Sequence, residues 1–133
     1  MNGKRASLAE AIKIVKEISK SKHVKAIYLF GSYANGKQTP LSDIDICVIT
    51  GYGIEEAKKE DILSNASGTI DISLYEDLPL SIRWRVLNDG KPLFLRDKRF
   101  AEDLRWRAFK EYIDFKPIIS SYVKKYLPGA HYV

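Results

Sequence analysis

The stretch LFGSYANGKQTPLSDIDICV, residues 29–48, decides the fold. It joins the end of one apolar segment to the start of another through a polar, glycine-containing connection. In the second segment Asp43 and Asp45 are two positions apart, and residues two apart on a strand share a face. Ile44 then points to the other face. The pattern predicts a strand, a connection with a short helix beginning near Ser32, and a second strand that carries both aspartates on one side.

The segments on either side alternate between helical and extended patterns. Ser7 and Glu10 form a capping box, which predicts the start of a first helix. Further predicted helices cover about 54–64, 77–89 and 97–127, and predicted strands cover 24–30, 44–50, 69–74 and 93–95. Strands interleaved with helices predict an α/β or α+β domain with a small sheet. At ~100–200 residues per domain, the chain is expected to form one domain, 1–133, whose C-terminal helical segment is about 97–127.

The predicted helix at 77–89 has a signal at each end. Asp77-Leu78-Pro79 is typical of a helix start, because proline is tolerated in the first turn. Gly90 follows the last helical position, where glycine commonly ends a helix.

Composition excludes several classes of protein. The single cysteine, Cys47, excludes an internal disulfide framework and a cysteine-based zinc site, and is expected to be a small buried residue. The apolar runs are far shorter than the ~18 residues of a membrane span, and the N-terminus has no secretory pattern, so we expect a cytoplasmic protein without a membrane partner. A net charge of +5 suits a polyanionic ligand, but it is too small to indicate direct nucleic-acid binding.

The aspartates predict a metal site. Two carboxylates on an otherwise apolar strand repel each other, and burying them uncompensated costs several kcal/mol. Mg²⁺ removes this penalty, since it prefers carboxylate oxygens. Asp71 projects from the opposite face of its strand to Ile70, so it joins Asp43 and Asp45 if the two strands pair with matching faces. Three carboxylates could hold two Mg²⁺ ions, which clamp the attacking and leaving oxygens of a displacement at phosphorus.

Gly31 and Ser32 lie where a strand ends and a helix begins. Glycine allows close backbone approach, and serine offers a hydroxyl and an amide to a phosphate oxygen. A tight turn for this pair, and a solvated strand end for Asp43 and Asp45, are the alternatives that need no ligand.

At this point the chain resembles a known family. Residues 29–48 resemble the signature of the nucleotidyltransferase superfamily related to DNA polymerase β, and the short length resembles its minimal branch, the MNT proteins. Members of that branch pair with all-helical HEPN proteins in prokaryotic toxin–antitoxin modules. The resemblance extends over TIDISLYEDLP, SIRWRVLNDG, KPLFLRD and RAFKEYIDFKPIISSYVKKYL, so that it covers roughly residues 8–127.

The resemblance implies a small mixed sheet flanked by helices. It also implies roles for individual residues. Magnesium is held by Asp43, Asp45 and Asp71, which are the catalytic residues, and the nucleotide triphosphate is bound by Gly31, Ser32 and Ser42. Many relatives have arginine where this chain has Asn35, and Lys37 is the residue expected to contact the phosphates instead, as a less directed ligand than arginine.

The function that follows is Mg²⁺-dependent transfer of AMP from ATP to a hydroxyl. The resemblance implies that the acceptor is a tyrosine of a cognate HEPN ribonuclease toxin, which makes this chain an antitoxin. One alternative is a non-catalytic antitoxin that neutralises its partner by binding alone through the late helix, whose aromatic residues are Trp106, Tyr112, Phe115, Tyr122 and Tyr126. Another is a nucleotidyltransferase of small molecules.

Four arginines on the predicted helices have two possible interpretations. They either form a basic face for a partner or for ATP, or lie as solvated helix positions: Arg83, Arg85, Arg105 and Arg107.

Overall fold

The structure is a computed structural model, and it describes residues 7–127 and 129, apart from the side chain at 119. The remainder of the predicted domain 1–133 lies outside the described residues. The strands are β1 Val24–Phe30, β2 Ile44–Thr50, β3 Ile70–Leu74 and β4 Lys91–Leu95. The helices are α1 Leu8–Ile18, α2 Ser32–Asn35, α3 Glu56–Leu63, α4 Leu80–Asp89 and α5 Lys98–Tyr126, with a 3₁₀ turn at Tyr75–Asp77.

The strands form one mixed sheet in the order β3-β2-β1-β4. Strand β1 is antiparallel to both β2 and β4, whereas β2 and β3 are parallel and are joined by the crossover that contains α3. The resemblance implied a small mixed sheet flanked by helices, and this expectation is confirmed.

Helices cover both faces of the sheet. Along β2, Ile46 and its neighbours at alternate positions pack into a core cluster with residues of α1 and α3. The opposite face carries Cys47 and Ile49, which pack with Val86 of α4 and Leu104 of α5. Cys47 is completely buried, as predicted. Because alternate residues share a face, Asp45 lies on the side covered by α4 and α5, at the end where β2 begins.

Side-chain caps mark the start of two helices, of which the one at Ser7 was predicted. The amide of Glu10 donates to Ser7 Oγ at 3.3 Å at the start of α1. At the start of α5, Asp97 Oδ1 accepts from the amides of Arg99 and Phe100 at 3.0 and 3.2 Å. These bonds satisfy amide groups that have no partner within the helix, and so they explain where both helices begin.

The predicted start of α4 needs correction, whereas its predicted C-cap is confirmed. Proline is not in the first turn: Tyr75–Asp77 form a separate 3₁₀ turn, Pro79 is the N-cap, and α4 begins at Leu80. Gly90 is the C-cap, but its φ of −71° is not left-handed. Glycine is needed there for space, because an added Cβ would collide with the carbonyl oxygen of Val86 and lie 3.0 Å from that of Leu29.

In the part of the chain that the structure describes, every helix is too short or too polar to cross a bilayer.

Candidate active site

Asp45 and Asp71 are register partners on neighbouring strands. The parallel pairing aligns Asp45 of β2 with Asp71 of β3, and Ile44 with Ile70. Partners in a parallel pair point to the same side, and neighbouring strands are about 4.8 Å apart. Asp43 lies two positions before Asp45, one residue outside β2. The condition on which the sequence prediction depended, that the two strands pair with matching faces, is therefore met.

The carboxylates of Asp43, Asp45 and Asp71 repel one another. Burial, then the charge of Asp71, then that of Asp43 raise the pKa of Asp45 above its ordinary value. Asp45 is partly buried, whereas the other two are exposed. A bound cation would remove the penalty on ionised Asp45. The electrostatics of the carboxylate corner, formed by Asp43, Asp45 and Asp71, therefore favour a positively charged ligand.

The donor set fits magnesium, but not as a complete cage. Among the described residues, no three His, Cys, Asp or Glu side chains are arranged to hold a metal ion by themselves. Magnesium usually keeps several waters and is bound by one or two carboxylates together with substrate phosphates. Asp45 and Asp71, aligned on one face, supply oxygen ligands of that kind.

The main chain at Gly31 lies against the carboxylate of Asp45. It follows Phe30, the last residue of β1, which is the register partner of Asp45. The φ of Gly31 is +74°, and a Cβ added there would collide with Asp45 Oδ2 and lie 3.3 Å from Asp45 Cγ. Glycine is therefore required both by the backbone conformation and by the neighbouring carboxylate.

The remaining predicted residues lie in and after α2. Ser32 begins the helix, and its carbonyl accepts from the amide of Lys37 at 3.0 Å. The same amide donates to Asn35 Oδ1 at 3.0 Å. Lys37 is exposed in the following loop, where Ser42 Oγ accepts from the amide of Thr39 at 2.8 Å. The structure thus places Gly31 against Asp45, whereas Lys37 and Ser42 belong to the loop.

Sequence reasoning missed a cavity beside the aspartates. It has a volume of about 320 Å³ and lies between α2 and α4. Its lining includes Gly31 and Asn35 from the predicted motif, and Ile82, Arg85 and Asp89 from α4. The spacing of those α4 residues places them on one helix face, but nothing in the sequence indicates that this face lies opposite α2.

The four arginines do not form one basic face. Arg83 Nε donates to the carbonyl of Tyr75 at 3.2 Å, and Arg107 Nη1 donates to Tyr52 Oη at 2.6 Å. Arg105 Nη2 donates to Asn88 Oδ1 at 3.1 Å. Arg83 and Arg107 line a different cavity, of about 200 Å³, where β2 ends rather than where its aspartates lie. Arg85 lines the cavity next to Gly31.

Curated relatives match part of the chain. The chain is 37% identical over 79 residues to a Methanocaldococcus jannaschii protein named "Putative protein adenylyltransferase MJ1547", covering 59% of this chain and 62% of that protein. It is 44% identical over 52 residues to "Putative protein adenylyltransferase MJ1215" of the same organism, covering 36% of this chain and 60% of that protein. The chain thus spans less than two thirds of the length of these relatives.

Solved structures share the fold. A chain of a toxin–antitoxin crystal structure with AMP-PNP superposes with a TM-score of 0.70 at 20% identity, covering 90% of this chain and 98% of that chain. A chain from the complex of tri-AMPylated Shewanella oneidensis HEPN toxin with MNT antitoxin gives 0.65 at 19% identity, with coverages of 88% and 92%. A nucleotidyltransferase of Sulfolobus solfataricus, named as putative, gives 0.52 at 27% identity, with coverages of 74% and 96%.

The sequence pattern of a protein family matches residues 12–99, more than half of the chain. The matched region includes Gly31, Asp45 and Asp71, the residues that the structure brings together. This chain therefore belongs to the family described as Polymerase beta, Nucleotidyltransferase.

Proposed function

We propose that this protein is an Mg²⁺-dependent nucleotidyltransferase that moves AMP from ATP to a hydroxyl of a partner protein. The observation that carries the proposal is the alignment of Asp45 with Asp71 beside the close approach of Gly31. This arrangement combines oxygen ligands for a cation with a backbone surface that a phosphate can approach.

The proposed acceptor is a tyrosine of a cognate HEPN toxin, so that the protein acts as an antitoxin in the cytoplasm. Support comes from the relatives named as protein adenylyltransferases and from the toxin–antitoxin chains that share the fold. AMP attached to a toxin side chain adds negative charge and bulk at that position, as other charge-changing modifications do.

Different residues are proposed to bind the metal ions and the triphosphate. Asp43, Asp45 and Asp71 are the proposed magnesium ligands, and Gly31 and Ser32 are proposed to position the triphosphate with their amides and the serine hydroxyl. Bound Mg²⁺ would neutralise phosphate charge and lower the pKa of the attacking hydroxyl. The acceptor oxygen forms a bond to the α-phosphorus and loses its proton to solvent, while the bond from that phosphorus to the bridging oxygen breaks and pyrophosphate leaves.

Two loop residues complete the proposed nucleotide site. Lys37 contributes a cation to the phosphates, which Asn35 cannot do, and Ser42 contributes a polar group directly before Asp43. Lys37 is exposed, so its flexible side chain can reach a phosphate only by losing conformational freedom. We further propose that residues 1–133 form a single domain.

Intact mass spectrometry tests this function. The protein is incubated with ATP, Mg²⁺ and the product of the neighbouring gene, and that product is then weighed. We expect a mass gain of one or more AMP groups, which is lost with Asp45→Asn and retained with Asp61→Asn, an exposed aspartate on α3. A partner that binds the protein yet gains no mass would contradict the proposal.

Binding alone is the second candidate function. Helix α5 exposes large apolar side chains along its length, with Trp106 60%, Ile118 64% and Tyr122 56% exposed. A surface of this kind is typical of a protein interface. If the double variant Asp43→Asn with Asp45→Asn still protects cells from the toxin at equal protein level, neutralisation by binding is the better explanation.

A further inference from the structure

The apolar stripe of α5 continues beyond the part of the helix that packs on the sheet. In the first half of α5, Leu104 and Ala108 are buried in the core cluster that also contains Cys47 of β2. Apolar and aromatic residues keep recurring at the same spacing in the second half, at positions 112, 115, 119, 122 and 126. There, however, Tyr122 is 56% and Tyr126 58% exposed. One helix face is thus covered by the fold in its first half and exposed towards its end.

The spacing of this stripe is typical of a helix that packs against a second helix. From Ala108 to Tyr126 the steps alternate between four and three residues, and a mean of 3.5 keeps one row of side chains facing a partner helix. Helix α5 continues through Pro117. Pro117 is two positions, or about 200°, from Phe115, so it lies on the opposite side and does not interrupt the stripe.

The place of the fold on α5 determines the direction of a second, identical helix. The sheet lies on the stripe side of the first half of α5, where Leu104 and Ala108 pack on it. In a parallel pair, two such folds would occupy the same space in front of the stripe. In an antiparallel pair, each fold lies beyond the end of the other helix, and only the exposed second halves overlap.

The charges beside the stripe fit the antiparallel direction. Glu111 and Lys125 are seven residues before and after Ile118, so the three side chains form one row along the same flank of the helix. When two copies pair antiparallel, the same flanks meet, and Glu111 of each copy faces Lys125 of the other across a centre at Ile118. Glu111 is partly exposed beside the cavity that Arg107 lines, and Lys125 is exposed. Opposite charges are therefore available on both sides of the centre.

We propose that two copies of this chain associate through the second halves of their α5 helices, residues 112–126, in an antiparallel pair centred near Ile118. The overlap is about 22 Å long, and it covers Phe115, Tyr122 and Tyr126 with the same stripe of the other copy. Because this contact is short, the dimer dissociates at micromolar concentrations. The inference does not depend on nucleotide transfer, since none of these residues belongs to the proposed active site.

Sedimentation analysis of the isolated full chain over a range of concentrations tests the association. We expect a dimer of wild type, and a dimer at least about tenfold weaker for Tyr122→Glu, because pairing would bury the added charge. Ile113→Glu is the matched control: Ile113 is 48% exposed, lies nine positions before Tyr122 and therefore on the opposite side of α5, and should dimerise like wild type. A wild type that stays monomeric, or equal effects of the two variants, would overturn the proposal.

Charge reversal tests the pairing of Glu111 with Lys125. Glu111→Lys and Lys125→Glu alone should each weaken the dimer about fivefold, since two exposed pairs become repulsive, and the double variant should return to within about twofold of wild type. Additive losses in the double variant would contradict the antiparallel register. A monomeric wild type whose binding to the product of the neighbouring gene is lost in Tyr122→Glu would assign the stripe to that partner and overturn the self-association.

Crosslinking with a short bis-maleimide tests the direction. Cys47 is completely buried, so wild type should not crosslink. Ile118→Cys, at the centre, should link two chains, whereas Tyr126→Cys should not, because the two copies of position 126 are about 24 Å apart in an antiparallel pair. Links in both variants would show a parallel pair, and links in neither would show that the helices do not meet at Ile118; either result overturns the proposal.

Discussion

The backbone of Gly31 lies so close to the carboxylate of Asp45 that any side chain at Gly31 would collide with Asp45 Oδ2. The two residues are 14 positions apart in sequence and come together because Phe30 and Asp45 are register partners of β1 and β2. The close approach therefore depends on the strand register rather than on a local turn, and the orientation of Asp45 depends on the absence of a side chain at position 31.

Gly31→Ala is expected to abolish nucleotide transfer and to lower stability. The added methyl group must displace the Asp45 carboxylate, and alanine is strained at a φ of +74°. Gly36→Ala is the matched control, since Gly36 has a φ of +75° and nothing within 4 Å of its added Cβ. Gly36→Ala, in the ordinary left-handed region, should lose about 1 kcal/mol from backbone strain, and Gly31→Ala should lose more, because a φ of +74° with a ψ of −153° is essentially restricted to glycine. Denaturant unfolding measures both losses, and only Gly31→Ala should lose transfer activity. Equal activities would argue against a role for this contact.

Asp45→Asn is expected to raise the free energy of unfolding at neutral pH when Mg²⁺ is removed by EDTA. Burial and the neighbouring carboxylates raise the pKa of Asp45 in the folded state, so the native protein binds this proton more tightly than the unfolded chain does. The contribution of Asp45 to the free energy of unfolding should therefore fall as the pH rises from about 3.9, the pKa of an unperturbed aspartate, through the higher pKa of Asp45 in the folded protein. Asparagine removes that loss because it carries no charge.

Thermal unfolding between pH 4 and pH 7.5 measures this effect. The difference between wild type and Asp45→Asn should shrink as the pH falls, and Mg²⁺ should raise the melting temperature of wild type but not that of Asp45→Asn, which lacks one of the proposed ligands. Asp114→Asn, an exposed aspartate of α5, should behave like wild type. A destabilised Asp45→Asn at neutral pH in EDTA would show that the carboxylate has a compensating partner.

Alternation along single strands was enough to predict which residues share a face. It placed Asp43 and Asp45 on one side at the start of β2, and Asp71 on the face of β3 opposite to Ile70. It did not determine that β2 and β3 are neighbours, because pairing depends on the crossover through α3, whose apolar pattern is weak. The resemblance to a family supplied that missing step, and the register then confirmed it. The roles of these residues in catalysis stay predictions.

Contacts between distant elements could not be predicted. The cavity between α2 and α4 depends on how two helices, separated by about 45 residues, lie on one sheet. Gly90 was expected to end α4, and it does, but glycine is needed there for space: an added Cβ would collide with the carbonyl oxygen of Val86 and lie 3.0 Å from that of Leu29 on β1. The cavity, and the approach of Gly90 to β1, arise from packing across the sheet, which periodicity within one segment does not contain.

Arg96→Lys is expected to destabilise the fold by about 1–2 kcal/mol, since three backbone carbonyls lose their fixed donors. Arg96 Nε donates to the carbonyl of Val24 at 2.8 Å, and Nη2 donates to those of Ser19 and Ser21 at 2.6 and 3.1 Å. The guanidinium thus joins the residue after β4 to the connection between α1 and β1 and to the first residue of β1. Lysine keeps the charge, but one ammonium group cannot reproduce this planar fork.

Urea denaturation of Arg96→Lys measures that loss. Arg99→Lys, at an exposed position in the first turn of α5, is the control and should unfold within about 0.5 kcal/mol of wild type. If both variants unfold at the same urea concentration, the fork of Arg96 contributes little to stability.

Asp71→Asn is expected to separate nucleotide binding from transfer. Asp71 lies on β3, on the far side of Asp45 from Gly31, and the proposed function therefore assigns it to the acceptor side of the bound nucleotide. We predict that this variant keeps affinity for α,β-methylene ATP with Mg²⁺ within about threefold of wild type and loses at least about 10²-fold in the transfer rate, as expected for an interaction made mainly in the transition state. Asp45→Asn, between the two sides, should lose both nucleotide binding and transfer.

Calorimetry measures nucleotide binding and single-turnover mass spectrometry measures transfer, both on the same preparations of the two variants. Loss of nucleotide binding in Asp71→Asn equal to that in Asp45→Asn would show that the carboxylates act as one site, without a division between nucleotide and acceptor sides.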